Sequence, residues 1–139
     1  DLLIRRHHLP LELAAAVFAS PLWSDIERMP EREQRVYRAL RQTYGRLLMN
    51  GPFTIILAKS GVMIGLGDRI RLRPLVAGIK GNVLYVSSEL APIHLVEPDI
   101  EHTWLPEGGE PVIGRLGEMP QAPGAHKLAF SPIAQGATR

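Results

Sequence analysis

The sequence predicts an α+β fold with antiparallel sheets, and three observations lead there. Between residues 1 and 50 the apolar residues recur at helical spacing in segments bounded by prolines. Past Gly51 the texture changes to short β-rich runs separated by turn residues. Four of those runs pair off across Lys59-Ser60-Gly61 and Lys80-Gly81-Asn82, the spacing of β-hairpins.

Asp1 to Arg6 reads as the middle of an amphipathic helix with no capping residue before it, so the chain is expected to be a fragment or a processed piece. That pattern should break at Leu9-Pro10, because the residue before proline is pushed out of the helical region. The alanine-rich stretch Leu11 to Ala19 should form a helix that Ser20-Pro21 stops. Pro30 should open a longer helix, with Glu31 and Glu33 near its positive end and Asn50-Gly51 as a left-handed C-cap. On that helix Val36, Tyr37, Leu40, Tyr44, Leu47 and Leu48 fall within an arc of about 120°, while Arg32, Arg35, Arg38, Arg41 and Arg46 lie outside it. The arginines are therefore expected on the wet face.

The first hairpin should join Phe53–Ala58 to Val62–Leu66, and the second Leu75–Ile79 to Val83–Ser87. Both faces of these strands are apolar, as in Thr54-Ile55-Ile56-Leu57, so the sheet is expected to be covered on both sides. Glu89 to Ile93 reads as one helical turn and Glu110 to Ile113 as a last strand. From residue 115 to 139 the prolines, glycines and alanines leave little to bury, which reads as a tail or linker after a domain spanning 1–114.

Composition narrows the chemistry. The chain has 139 residues and no cysteine, which removes disulfides, thiolate metal sites and any Cys nucleophile, and fits a cytoplasmic protein. A net charge of +2 is too small to announce a nucleic-acid partner, and no aromatic residues interleave the arginines for base stacking. The longest apolar runs fall far short of the ~20 residues that span a bilayer. His7 and His8 are adjacent and so diverge on a helix, and His94 and His102 sit among polar loop residues, so no metal and no cofactor are expected. The run Gly61 to Asp68 lacks the third glycine of a dinucleotide fingerprint, and close backbone packing explains it better. No Gly-x-Ser-x-Gly elbow is present, and no serine has a histidine that spacing identifies.

Three ordered segments carry the reading further. Asn50 to Ile56 resembles the Gly-x-Phe strand of the class II (N-terminal-nucleophile) glutamine amidotransferases. Gly65 to Leu75 resembles their Asp-x-x-Gly-x-Arg-Pro-Leu loop, and Ser87-Ser88-Glu89 their strand-ending Ser-Glu. Pro106 to Glu110 resembles the Pro-Gly-Glu turn before their last strand. The Arg-Pro-Leu and Ser-Glu pair is similar to that of amidophosphoribosyltransferase and glutamate synthase glutaminase domains, and the helical insertion with Trp23 and Met29-Pro30-Glu31 is closer to stand-alone glutamate-synthase-type subunits. Two departures stand out: Arg71 replaces the loop's usual glycine, and Glu107 to Glu110 carries an insertion.

The resemblance implies part of a four-layer α-β-β-α architecture and nitrogen metabolism as its setting. It implies the C-terminal half of a glutaminase domain, which hydrolyses glutamine to glutamate and supplies ammonia to a synthase partner. The family's nucleophilic cysteine, its glutamine-binding arginine and aspartate and its oxyanion Asn-Gly all precede the matched region. No catalytic residue is therefore assigned within this chain, and Asn50-Gly51 and Asp68 match structural positions. The implied partners are the upstream half of the same domain and a synthase domain or subunit. Arg73 is a candidate to pair with a carboxylate such as Glu89 across the second hairpin, with a solvent-exposed arginine as the equal alternative. A non-catalytic interaction module on a degenerate amidotransferase fold is the alternative.

Overall fold

Residues 1–122 are described by the structure, a computed structural model of the chain. Leu2–Arg6 is a single π-helical turn, not a stretch of α-helix, and it buries Leu3 against the helices that follow. Helix α1 (Leu11–Phe18) begins after Pro10, whose carbonyl accepts the Ala14 N–H at 2.9 Å. It ends where Ser20-Pro21 forbids another turn. A short helix α2 (Trp23–Ile26) leads to α3 (Glu31–Tyr44), which starts after Pro30 with Glu31 and Glu33 in its first turn.

Helix α3 is shorter than its sequence period. It stops at Tyr44, tightens into a 3-10 turn over Gly45–Leu47, and turns extended at Leu48. The reason is tertiary: the Met49 N–H donates to the Phe18 carbonyl at the end of α1, at 2.9 Å, and this pulls the chain toward the sheet. Gly51 does take a left-handed φ of 89°, but in a turn before the first strand, not at a helix end. The apolar arc holds: Leu40 is 8% exposed and Val36, Tyr37, Tyr44 and Leu47 pack around it against α1. Of the arginines, Arg32, Arg35, Arg38 and Arg46 are exposed as expected. Arg41 is not, because its guanidinium lies 3.9 Å from the centroid of the Trp23 ring and Nη1 donates to the Pro21 carbonyl at 3.2 Å.

Six strands make two antiparallel sheets. Strands β1 (Thr54–Lys59), β2 (Val62–Gly67) and β6 (Val112–Arg115) form one in the order β1-β2-β6. Strands β3 (Val76–Lys80), β4 (Val83–Ser87) and β5 (His102–Trp104) form the other in the order β4-β3-β5. Both hairpins match the sequence reading to within a residue. Strand β5 was hidden from it, because three residues are too few to show a period. Helix α4 (Leu90–Val96) likewise runs longer than the single turn expected over Glu89 to Ile93.

Side chains alternate across each strand, so β2 shows how the layers are ordered. Leu66 faces Ala15 and Ala19, and this side of the first sheet carries α1. Gly65 faces the other way, where a Cβ would stand 2.9 Å from Val86 Cγ1 on β4. Val112 joins Leu75, Ala77, Leu84, Val86 and Trp104 in the core between the two sheets. Cover is nevertheless incomplete. Strand β1 is paired on one side only among the described residues, and Ile56 and Leu57 are 50% and 51% exposed. Strand β6 starts at Val112 and runs to Arg115, which pairs with Val62, so the strand reaches one residue into the expected tail, and the Leu116 N–H beyond it donates to the Gly61 carbonyl at 2.7 Å. Residues 123–139 of that tail lie outside the described residues. No helix is long and apolar enough to cross a membrane, again among the described residues.

Replacing Leu40 with Asp should destabilise the fold by several kcal/mol, since it buries an unpaired carboxylate. Arg38→Asp changes an exposed residue that bonds to Gln34 on the same helix, and should cost about 0.5 kcal/mol. Urea midpoints of the two variants measure this. Comparable shifts would contradict the assignment of the α3 faces.

Candidate functional site

The loop from Gly67 to Leu75 leaves β2 in the first sheet and enters β3 in the second, so its shape fixes how the two hairpins meet. It is built around one carboxylate. Asp68 is 1% exposed, and its own N–H donates to the Phe53 carbonyl at 2.9 Å. Its Oδ1 accepts the N–H groups of Ile70 at 3.1 Å and Leu72 at 3.0 Å, and Oδ2 accepts that of Arg73 at 3.0 Å. A chain turning this tightly has no strand partner for those amides, and the aspartate supplies the missing acceptors.

Burial alone would raise the pKa of Asp68, by disfavouring the charged form. The amides of Leu72, Arg73, Ile70 and Phe53 outweigh it and hold the carboxyl below its ordinary 3.8. An acid held so firmly ionised, with both oxygens occupied, is a poor proton acceptor. Asp68 thus organises the loop through its backbone partners.

Arg71 occupies the left-handed region at a φ of 55°. This is the position where the resembled loop has glycine, and the structure keeps a glycine-like backbone there with an arginine in it. Arg71 is held at its far end by Glu107, 3.3 Å away, in the turn between β5 and β6. That turn closes on itself, the Glu107 N–H donating to Glu110 Oε2 at 2.7 Å and the Glu110 N–H to the Glu107 carbonyl at 2.9 Å. Gly108 then passes so near the loop that a Cβ would sit 2.1 Å from the Arg69 carbonyl oxygen. The extra residues of Glu107 to Glu110 therefore dock against the Asp68 loop, and β6 keeps a regular register from Val62↔Arg115 to Gly65↔Val112.

Between the loop and the Leu105–Glu107 segment lies a cleft of about 210 Å³, bordered by Asp68, Arg71, Arg73, Leu75 and Pro106. Leu105, which lines it, is exposed, as are Ile70 and Leu72 on the loop. The expected pairing of Arg73 with Glu89 does not form: both side chains are exposed, and the Glu89 N–H donates to Ser87 Oγ instead. Of the histidines, His7 meets the Tyr44 hydroxyl, His94 lies on α4 and His102 stacks on Trp104. Among the described residues no serine is hydrogen-bonded to a histidine. Two residues with unusual surroundings escaped the sequence reading, Ser20 and Arg41. Ser20 served only as a helix stop, and the periodicity of α3 placed Arg41 with the solvated arginines.

Asp68→Asn should cost about 2 kcal/mol near neutral pH, the scale of charge-assisted hydrogen bonds. Because the folded-state pKa is depressed, the stabilisation is fully present above 3.8 and is lost as pH falls through the lower folded value. Thermal midpoints of wild type and variant should therefore differ by a constant amount from pH 7 to pH 5 and converge in stronger acid. A gap independent of pH down to complete acid unfolding would show that the charge of Asp68 does not hold the loop.

No protein family's sequence pattern matches the chain. No solved structure matches it either. An uncharacterized protein of Archaeoglobus fulgidus is 52% identical over 116 residues, which make up 84% of this chain and 31% of that protein. The chain therefore spans less than a third of that relative's length.

Proposed function

We propose that the chain is the scaffold half of a class II glutaminase domain, which hydrolyses glutamine to glutamate and passes ammonia to a synthase partner. The observation that carries this reading is the Asp68–Leu75 loop. It joins the two packed sheets, is shaped by a buried aspartate at the motif's first position, and bends left-handed where the resembled family has glycine. Helix α1, the first sheet and the second sheet stack in that order, with α4 following β4, an order compatible with an α-β-β-α sandwich.

In such a domain an N-terminal cysteine thiolate attacks the glutamine amide carbon, the C–N bond breaks with a proton delivered to the leaving ammonia, and water then hydrolyses the thioester to glutamate. One positioned oxyanion donor is worth about 2.7–4 kcal/mol in a typical hydrolase, provided it is held to a fraction of an ångström. The contribution assigned to this chain is that rigidity. The nucleophile and the glutamine-binding groups would come from an upstream segment. Its strands would find β1 open, with Ile56 and Leu57 half exposed and one hydrogen-bonding edge unpaired among the described residues.

Ammonia release from glutamine by the 139-residue chain alone should equal the buffer blank, and the chain should bind a hydrophobic dye and aggregate with time. Adding the upstream segment of its own protein, with an N-terminal cysteine, should suppress dye binding and produce glutamine-dependent ammonia. A sharp cooperative melt of the chain alone, with no response to that segment, would replace this reading with a self-sufficient interaction module.

A further inference from the structure

The three helices enclose a cleft of about 170 Å³ on the side of α1 and α3, lined by Ser20, Trp23, Arg41, Tyr44 and Leu48 among others. No residue of the Asp68 loop lines it, and the glutaminase reading makes no use of it. We propose that this cleft binds a compact oxyanion, a carboxylate or phosphate group, between the Arg41 guanidinium and the Ser20 hydroxyl.

Two observations point to a ligand independently. Ser20 is 1% exposed, and its Oγ has no hydrogen-bond partner among the described residues. Buried hydroxyls without a partner are uncommon in folded proteins, and one lining a cavity is a group prepared for something that enters it. The second observation is Arg41. Its guanidinium stacks on the Trp23 ring and spends one donor on the Pro21 carbonyl, yet among the described residues no carboxylate lies within ion-pair distance. The neighbouring cation Arg69 also has none among them, its Nη2 donating to Asn50 Oδ1 at 3.3 Å. Burial first, and Arg69 second, depress the Arg41 pKa, so the site carries uncompensated positive charge.

An arginine whose face rests on an indole presents its edge donors in one plane, the arrangement that recognises a carboxylate or a phosphate. The volume fits. Liquid water takes about 30 Å³ per molecule, so one bound water leaves most of the cleft unfilled, while a small anion with its waters fills it. Trp23, half exposed at the rim, would shield the ion pair from bulk solvent.

The test titrates the full-length protein with inorganic phosphate in one arm and sodium acetate in the other, by calorimetry at constant ionic strength. At least one anion should bind saturably at a single site, and the tighter arm identifies which group the site takes. Arg41→Gln should weaken that binding by about tenfold or more, the loss of a charge-assisted pair. Ser20→Ala should weaken it several-fold while leaving the anion-free melting temperature unchanged or raised, because it removes an unsatisfied group. Arg38→Gln, one turn away on the exposed face of α3, should bind like wild type. Binding that fails to saturate in both arms, or that is equal in wild type, Ser20→Ala and Arg41→Gln, overturns the proposal. So does a crystal structure grown in the more tightly binding of the two anions that shows only water at Ser20 Oγ.

Discussion

The fold depends on one buried carboxylate. Asp68 gathers the backbone of Ile70, Leu72 and Arg73 with its two oxygens and ties its own amide to Phe53, the residue that leads into β1. Those four links set the angle at which the first hairpin hands over to the second. Leu75, where that loop ends, then packs with Ala77 and Val112 in the core between the sheets. A negative charge away from water is costly unless its partners are fixed beforehand, and here they are supplied by a loop with no other use for its amides. The Gly108 turn and the Arg71–Glu107 pair then brace the loop from the β5–β6 side.

Apolar burial follows from that junction and is unequal. The helices share a core around Leu40, α1 covers Leu66, and the inter-sheet layer is closed at its centre by Val86 over Gly65. At the rim the closure fails. Strand β1 carries Ile55-Ile56-Leu57, a sequence suited to a strand buried on both faces, yet Ile56 and Leu57 are half in water. Natural edge strands are usually blunted by charge, proline or a bulge, and β1 has none of these before Lys59. The mismatch between what the strand is made of and where it sits is what supports the proposal that an upstream strand pairs with it.

Much of the secondary structure was legible because its signals are local. Proline marked the starts of α1 and α3, and the Ser60-Gly61 turn, both residues at positive φ, marked the first hairpin. What escaped was set by contacts distant in sequence. The hook of Met49 onto Phe18 ends α3 early, and the stacking of Arg41 on Trp23 removes one arginine from a face that periodicity assigns to solvent. Strand β5 exists because β3 offers an edge to His102–Trp104. At the candidate site, the Asp-x-x-x-x-Arg-Pro spacing was readable, but a sequence shows neither which amides a carboxylate collects nor which serine is left without a partner. Arg71 was legible as a departure from glycine, and only the backbone reveals that it bends left-handed all the same.

Amide hydrogen exchange along β1 in the full-length protein tests the central claim most directly. The inward amides of Thr54–Lys59 pair with β2, and the outward ones have no partner within the described residues. If this chain is a scaffold completed by an upstream strand, inward and outward amides of β1 should be protected alike. Fast exchange confined to the outward amides would show that β1 is a true edge, and would contradict the account.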